Sequence, residues 1–490
     1  MTLPALARIR QIARAGDTLR AWRMFEDLGL GASSSADALS LKGRLLKDRG
    51  LRGGGSERAG LLEQAQAAYL QAAGSRRATY PLINAATIAF LNDRPDEARR
   101  IARRVLEILA CGDYEPETRY WLGATEAEAL LLLDDPQASR QALERAMKSS
   151  PEAWEDHAVT LGQFRQILER LGRSPDLLDD LQPPPSLYFY GIIGLPDDEA
   201  EARAKLECAL DEIRPGAVFG ALAAGADILM AEMAVARGAR LHVVLPTSLA
   251  RFRQISVEQY DSAWGERFDR LMGQADVVEV LEGNAGLSEA AILNGSQVAM
   301  GLALRHARSL ASRAVALHLA RATDLPSPAE VEWRAHDLPV RRVILDEWLP
   351  ARGSALDRAK NVTIVASPGR LPGVLGSAPV TQIEDEKGTV LAFPDLVAAI
   401  DHAQALLRKD PELRLGIDSR AVVPGESLEV SGELACLLAS AATGGSICAS
   451  WPQIAALELL APDYRFDAAG EIVTAIGNVP IGLFCHLPSA

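Results

Sequence analysis

Up to about residue 175, apolar and small residues fall in paired blocks separated by Pro- or Gly-containing turns, a pattern that predicts helical hairpins. Tyr80-Pro-Leu-Ile-Asn-Ala-Ala-Thr-Ile-Ala-Phe-Leu superposes on Tyr120-Trp-Leu-Gly-Ala-Thr-Glu-Ala-Glu-Ala-Leu-Leu at an offset of forty residues. That offset also sets Ala98 on Ala138, each after a turn containing Pro95 or Pro136. Earlier pairs show in 38–47 and 61–72, where Ala65, Ala67 and Ala68 precede Tyr69. A hairpin of this kind cannot bury its apolar face alone, so neighbours must stack.

Pro183-Pro184-Pro185 stiffens the chain and ends the array. Short continuous apolar runs then alternate with helical stretches. Strands are expected at 186–193, 217–222, 241–246, 276–281, 314–319 and 340–345, with helices at 198–213, 228–237, around 264–272 and at 296–311. Runs apolar on both sides imply a parallel sheet covered on both faces, a Rossmann-like α/β arrangement. After a second linker at 347–360, strands at 362–366, 391–393, 413–417, 446–449 and 481–486 mix with helices at 396–407 and 433–442. The last strand is expected to be an edge. The fold class is therefore multidomain: an all-α repeat array over 1–182, a parallel α/β domain over 183–347 and an α+β domain over 362–490.

Composition narrows the classes. Hydrophobic residues are 48% and charged residues 24% of 490, which excludes wholesale disorder. Net charge is −14, and residues 362–490 alone hold 7 basic against 15 acidic side chains, or −8. Without a basic excess, nucleic acid is excluded as a partner. No apolar run is long enough to span a membrane, and the opening MTLPALARIR lacks a leader's apolar stretch, so a cytoplasmic location is expected. Five scattered cysteines (111, 208, 436, 448 and 485) read as reduced thiols. The histidines form no metal spacing, and HExxH, GxSxG and GxxxxGK[ST] are absent.

The strongest ligand-site candidate is the turn 220–227. Gly220 and Gly225 would admit a ligand to the backbone, and the free N–H groups of Gly225, Ala226 and Asp227 would open a helix toward an anion. The opposing reading is a simple capped turn, with Asp227 as the helix cap using those N–H groups itself; its charge would repel a phosphate, though it could accept hydrogen bonds from ribose hydroxyls. Glu232, five residues on, points away from Asp227. Thr247 and Ser248 follow a strand at its carboxyl edge, where they either meet a ligand or cap the next helix. Arg267, beside Trp264 and Phe268, suits a phosphate or an ion pair.

Three resemblances add to this reading. The repeat is of tetratricopeptide type. Gly43-Arg44-Leu-Leu-Lys47-Asp48, Ala68-Tyr69 and Tyr80-Pro-Leu-Ile83-Asn84-Ala-Ala-Thr resemble the TRAFs-binding region of apoptosis signal-regulating kinases and bacterial relatives over roughly 35–150. That implies a signalling scaffold. Phe219-Gly220-Ala-Leu-Ala-Ala-Gly225-Ala226-Asp227-Ile-Leu-Met-Ala-Glu232, continuing to His242-Val-Val-Leu-Pro246, is similar to the SLOG and nucleoside deoxyribosyltransferase-like group, which implies nucleotide binding or processing. The second turn of that group matches 325–331 here, without glycine.

Leu391-Ala-Phe393, Leu413-Arg-Leu-Gly416-Ile417 and Gly445-Ser-Ile447-Cys-Ala-Ser450 resemble a shortened class III nucleotidyl cyclase domain. Its two metal-binding aspartates match Ser367 and Lys387, a hydroxyl and an ammonium where the chemistry requires anionic oxygens. The resemblance therefore implies a pseudo-cyclase with no metal and no catalytic residue in that domain.

The resulting expectation is a regulatory scaffold. Helical repeats bind a protein partner, the middle domain senses a nucleotide-like ligand, and the last domain serves association, including a homodimer. No cofactor is assigned beyond that nucleotide. The alternatives are a nucleotide-processing middle domain and a working cyclase.

Overall fold

The computed structural model describes residues 3–485 except 15–17, 75, 196–197, 261, 285, 347–355, 374–378, 386–387, 428–431 and 475–476. The chain forms two compact units, 1–183 and 184–490. The first contains α1 (Leu3–Arg14), α2 (Thr18–Asp27), α3 (Ala36–Arg52), α4 (Gly55–Ala73), α5 (Thr79–Leu91), α6 (Pro95–Cys111), α7 (Arg119–Leu132), α8 (Pro136–Ser149) and α9 (Trp154–Arg170). Pairs α3–α4, α5–α6 and α7–α8 are joined by short turns. Inner helices α5 and α7 are buried over most of their surface, whereas α6 and α8 bury one stripe.

The turns explain the repeat. Asp93 and Asp134 both adopt left-handed backbone, and Pro95 and Pro136 each begin the next helix. Because α7 is one residue longer than α5, these turn residues lie 134 − 93 = 41 apart rather than forty. The second helices are thus offset by one, and Ala98 matches Ser139 rather than Ala138. Ser139 is buried and its hydroxyl donates to the Ala127 carbonyl at 2.7 Å. A polar relay crosses the inner helices: Lys47 Nζ donates to Gln163 Oε1 at 3.0 Å, and Gln163 and Thr87 both donate to Glu128. Burial pushes the Lys47 pKa down and the Glu128 pKa up.

The second unit opens with a six-stranded parallel sheet in the order β4-β3-β2-β1-β5-β6. Its strands are β1 (Ser186–Gly191), β2 (Ala217–Gly220), β3 (Arg240–Leu245), β4 (Val277–Val280), β5 (Ala314–Arg321) and β6 (Val340–Leu345). Between them run α10 (Ala200–Ile213), α11 (Ala226–Val235), α12 (Leu249–Arg253), α13 (Ser262–Gln274), α14 (Glu289–Ser309) and α15 (Pro328–Ala335). Strand alternation sorts the side chains. Leu187 and Phe189 join the core beneath α10, α11 and α13, while Tyr188 packs on the opposite face with α14.

A seven-stranded mixed sheet follows, in the order β12-β13-β11-β10-β7-β9-β8. It comprises β7 (Lys360–Ser367), β8 (Thr381–Asp385), β9 (Gly388–Phe393), β10 (Arg414–Val422), β11 (Ser446–Ser450), β12 (Asp467–Thr474) and β13 (Gly477–Cys485). Helices α16 (Leu396–Lys409) and α18 (Trp451–Leu460) cover one face, and α17 (Glu433–Ala441) the other. The chain's last strand is not an edge: β13 lies between β12 and β11.

The two sheets share one core. Tyr188, Phe219 and Trp333 from the first belong to the same apolar cluster as Val365, Phe393, Ile417 and Ile447 from the second. Helix α14 joins them, packing on β1–β3 and on α18. A methyl at Gly301 of α14 would lie 1.6 Å from the Ala455 carbonyl oxygen, so only glycine permits this crossing. Beside it, buried Glu458 of α18 pairs with Arg308 and with Arg305 and Arg465 at 3.6 Å each. Asn284 bridges the sheets as well, donating to the Pro246 carbonyl at 2.8 Å and accepting from the Ala421 N–H at 2.7 Å.

Candidate functional site

The parallel sheet reverses direction between β1 and β5: later strands are added on one side through β4, then on the other through β6. Open α/β sheets bind ligands outside the carboxyl ends of the strands at such a reversal. The turn after β2 reaches this edge. Gly225 has φ +99°, and a Cβ there would stand 2.9 Å from the Ile192 carbonyl oxygen in the loop after β1. The Ala226 N–H donates to that same oxygen at 3.0 Å. Turn and β1 loop are thus bonded together beside the reversal.

The cap differs from the sequence expectation. Gly225, not Asp227, occupies the cap position of α11, and Asp227 lies in the first helical turn. Its carboxylate folds back, with Oδ2 accepting from the Ala223 N–H at 3.2 Å. The Ala224 N–H donates to the Ser256 carbonyl at 2.8 Å. Three N–H groups of the turn (Ala223, Ala224 and Ala226) therefore have internal acceptors, which leaves less of the predicted anion cradle.

Asp227 itself is 8% exposed, and its Oδ1 makes no hydrogen bond among the described residues. Burial pushes its pKa up to about 7, against the favourable N–H groups of Ala223 and Gly191. A buried acceptor with an unused oxygen is the distinctive feature of this edge.

The other predicted residues divide. Gly220 is tight against β1, since a Cβ would fall 2.6 Å from the Phe189 carbonyl oxygen; its smallness serves packing. Thr247 is buried just past β3, and Ser248 precedes α12 without a side-chain cap. Arg267 is already engaged. It grips Glu232 through Nε at 2.9 Å and through a second nitrogen at 2.6 Å, bonds Glu199 and lies 4.2 Å over Trp264. Burial would lower its pKa, but Glu232 and Glu199 together raise it. Its guanidinium thus serves an ion-pair network. Glu232 turns toward Arg267 and Arg270, apart from Asp227.

Beneath the reversal, Glu330 is wholly buried and collects Tyr190 OH at 2.6 Å, His318 Nδ1 at 3.1 Å and Arg334 Nε at 2.8 Å. This network ties α15 to β1 and β5. His318 stacks on Tyr190 at 4.2 Å.

In the mixed sheet, Ser367 ends β7, buried, with its hydroxyl accepting from the Gly369 N–H at 3.3 Å. Lys387 lies outside the described residues. Sequence reasoning missed Asp418, a buried carboxyl in β10 paired with Ile364 of β7. The expected strand stopped at Ile417, one residue short of it. A carboxylate beginning the Asp418-Ser419-Arg420 run straight after an apolar strand was the available signal.

Among known families, residues 2–89 match the model of Tetratricopeptide Repeats-Sensor (TPR-S). This match starts ahead of the 35–150 stretch on which the sequence resemblance rested. Curated proteins give no match. Solved structures similar to parts of the chain include an adenylate/guanylate cyclase/hydrolase from Silicibacter pomeroyi, 13% identical, covering 26% of this chain and 98% of that one, with a TM-score of 0.21. Another is a variant O-GlcNAc transferase from Thermobaculum terrenum, 12% identical, covering 72% of this chain and 60% of that one, with a TM-score of 0.19. Likeness of this degree has no bearing on activity. The chain thus begins with a tetratricopeptide-like repeat region within a helical first unit, and parallel and mixed sheets follow it. Among the described residues no helix is long and apolar enough to cross a membrane.

Proposed function

We propose that the chain is a regulatory protein whose helical repeats hold a protein partner while its parallel sheet binds a nucleotide-like ligand through ribose hydroxyls at Asp227. The observation that supports this is the unused Asp227 Oδ1 at the reversal of strand order. A hydroxyl donor satisfies a buried carboxylate oxygen, whereas a phosphate would be repelled by it. With Arg267 paired and three N–H groups of the turn occupied, ribose is favoured over phosphate as the recognised group. The cyclase-like sheet, with Ser367 where a metal-binding aspartate would stand, serves as a structural module in this reading.

A second reading gains from the Asp227 pKa near 7. A carboxyl that exchanges its proton near neutrality suits acid/base work on a glycosidic bond. Thermal melts with adenosine, ATP, NAD and cyclic dinucleotides test both readings. We expect at least one nucleoside-bearing ligand to raise the melting temperature of the protein and to leave Asp227→Asn unmoved. No shift with any member, or an equal shift in the variant, removes the proposal. Release of free base from the ligand, lost in Asp227→Asn, would select the enzymatic reading.

A further inference from the structure

The last α-helix of the first unit does not continue the stack. A further hairpin helix would pack on its predecessor, yet α9 packs chiefly on the inner helices α5 and α7. Its apolar stripe, Leu161, Phe164, Ile167 and Leu168, is buried in one cluster with Leu82 and Ile83 of α5 and Ala124 and Leu131 of α7. Paired helices in this unit meet at close range. A Cβ at Gly43 of α3 would lie 2.6 Å from the Tyr69 ring of α4, and one at Gly123 of α7 would lie 2.9 Å from Ala146 of α8. Helix α9 is held instead by long polar side chains.

Gln163 serves two of the inner helices at once. Its oxygen accepts from Lys47 Nζ of α3 at 3.0 Å, and its nitrogen donates to Glu128 of α7 at 2.5 Å. A carboxamide can satisfy an ammonium and a carboxylate together because it carries both an acceptor and donors. One turn earlier, Thr160 Oγ1 accepts from Tyr120 OH at 2.8 Å, and His157 stacks on the same ring at 5.1 Å. At the far end Arg170 pairs with Asp93, and Arg173 with Asp134 at 2.6 Å. Those two aspartates are the matching turn residues of successive hairpins, so α9 engages both repeats alike. Burial disfavours the charged forms of Lys47 and Glu128, so the central joint supplies register more than adhesion.

This is the pose of a bound helix rather than of a further repeat. Stacked hairpins present their inner helices along a concave surface, and an amphipathic helix in a groove is read through its apolar anchors. Helix α9 supplies those anchors, with one carboxamide reading α3 and α7 at its centre. We propose that α9 is a built-in occupant of a partner site. The partner docks by displacing it with an amphipathic helix of the same chemistry, apolar at i, i+3, i+6 and i+7 with a carboxamide at i+2. This rests on the reading that the repeats hold a protein partner, and states where that partner binds and what it presents. The ion pairs at Asp93 and Asp134 are exposed and therefore screened by salt, so release starts from that end.

Hydrogen exchange on the full chain, read by mass spectrometry, tests this first. The amides of α9 should exchange together, roughly tenfold or more faster than those of α5 and α7, and faster still in high salt. Equal protection of α9, α5 and α7 would make it an integral helix and overturn the proposal. A fluorescent peptide of residues 154–174 then probes the vacated face. The parent, already occupied, should bind it weakly; a full-length chain carrying Phe164→Ala and Leu168→Ala in its own α9 should bind it saturably and roughly tenfold or more tighter. Gln163→Leu in the peptide strands Lys47 and Glu128 and should cost roughly tenfold in affinity. Equal binding by parent and variant, no binding by the variant, or indifference to Gln163→Leu would each overturn the proposal. So would parent dimers in sedimentation that the peptide dissociates, since the occupant would then be a second copy. If the variant does not melt cooperatively, exchange in the parent decides alone. None of these readouts involves Asp227, so the nucleoside melts stand or fall separately, and a partner held on another face would keep the scaffold reading while ending this one.

Discussion

Asp227 and Asp418 are buried carboxyls, and burial pushes the pKa of each up. For Asp227 the folded-state pKa of about 7 stands above the ~3.9 of an unfolded chain. Between those values the folded protein keeps a proton that the unfolded chain has released. Stability from this group is therefore greatest below about pH 4 and declines as pH rises toward 7. Asp227→Asn keeps the acceptor for the Ala223 N–H and removes the charge. It should exceed the parent in stability at pH 8 by on the order of 2 kcal/mol, with a much smaller gap at pH 4.5. Urea midpoints at the two pH values measure this, and an equal gap at both would show that desolvation is not the cause. The sequence marked Asp227 because a glycine turn preceded it. Asp418 stayed hidden because the expected strand ended at Ile417, so the carboxylate following that apolar run read as the polar start of a loop.

Among the elements, short continuous apolar runs were the readable ones. The strands β1 to β6 stand where apolar runs predicted: the inner strands are buried on both faces and leave continuous hydrophobic stretches, while the edge strand β4 is apolar yet leaves Val277 and Val278 exposed. Helix α18 was missed for lack of periodicity. Trp451-Pro-Gln-Ile-Ala-Ala-Leu-Glu-Leu-Leu has no polar stripe because it is enclosed almost all round, and its one charge, Glu458, is met by three arginines. Polar strands β8 and β12 were missed because they are sheet edges. The α14–α18 crossing makes its own prediction. Gly301→Ala puts a methyl against a carbonyl that cannot move without shifting α18, so a loss of about 3 kcal/mol or more is expected in chemical denaturation. A stability change below ~0.5 kcal/mol would mean that the helices separate freely.

At the scale of the whole molecule, the boundary within the triple proline, between Pro183 and Pro184, separates two units, while the linker read at 347–360 separates two sheets that share a core. Composition cannot reveal such sharing, because Trp333 and Ile417, more than eighty positions apart in sequence, belong to one apolar cluster. Residues 184–490 produced alone should melt in one cooperative transition. Residues 356–490 alone would expose the face that α14 covers and should show the weak near-ultraviolet dichroism and dye binding of a molten state. A sharp, independent melt of 356–490 would show the mixed sheet to be self-sufficient.

The bare crossing at Gly301 has a mechanical corollary. Where two backbones touch with no side chain between them, there is no lubricant: the joint is a weld rather than a bearing. Force applied at one sheet passes to the other undiminished, and amide protons on both helices should exchange with deuterium at one common, slow rate.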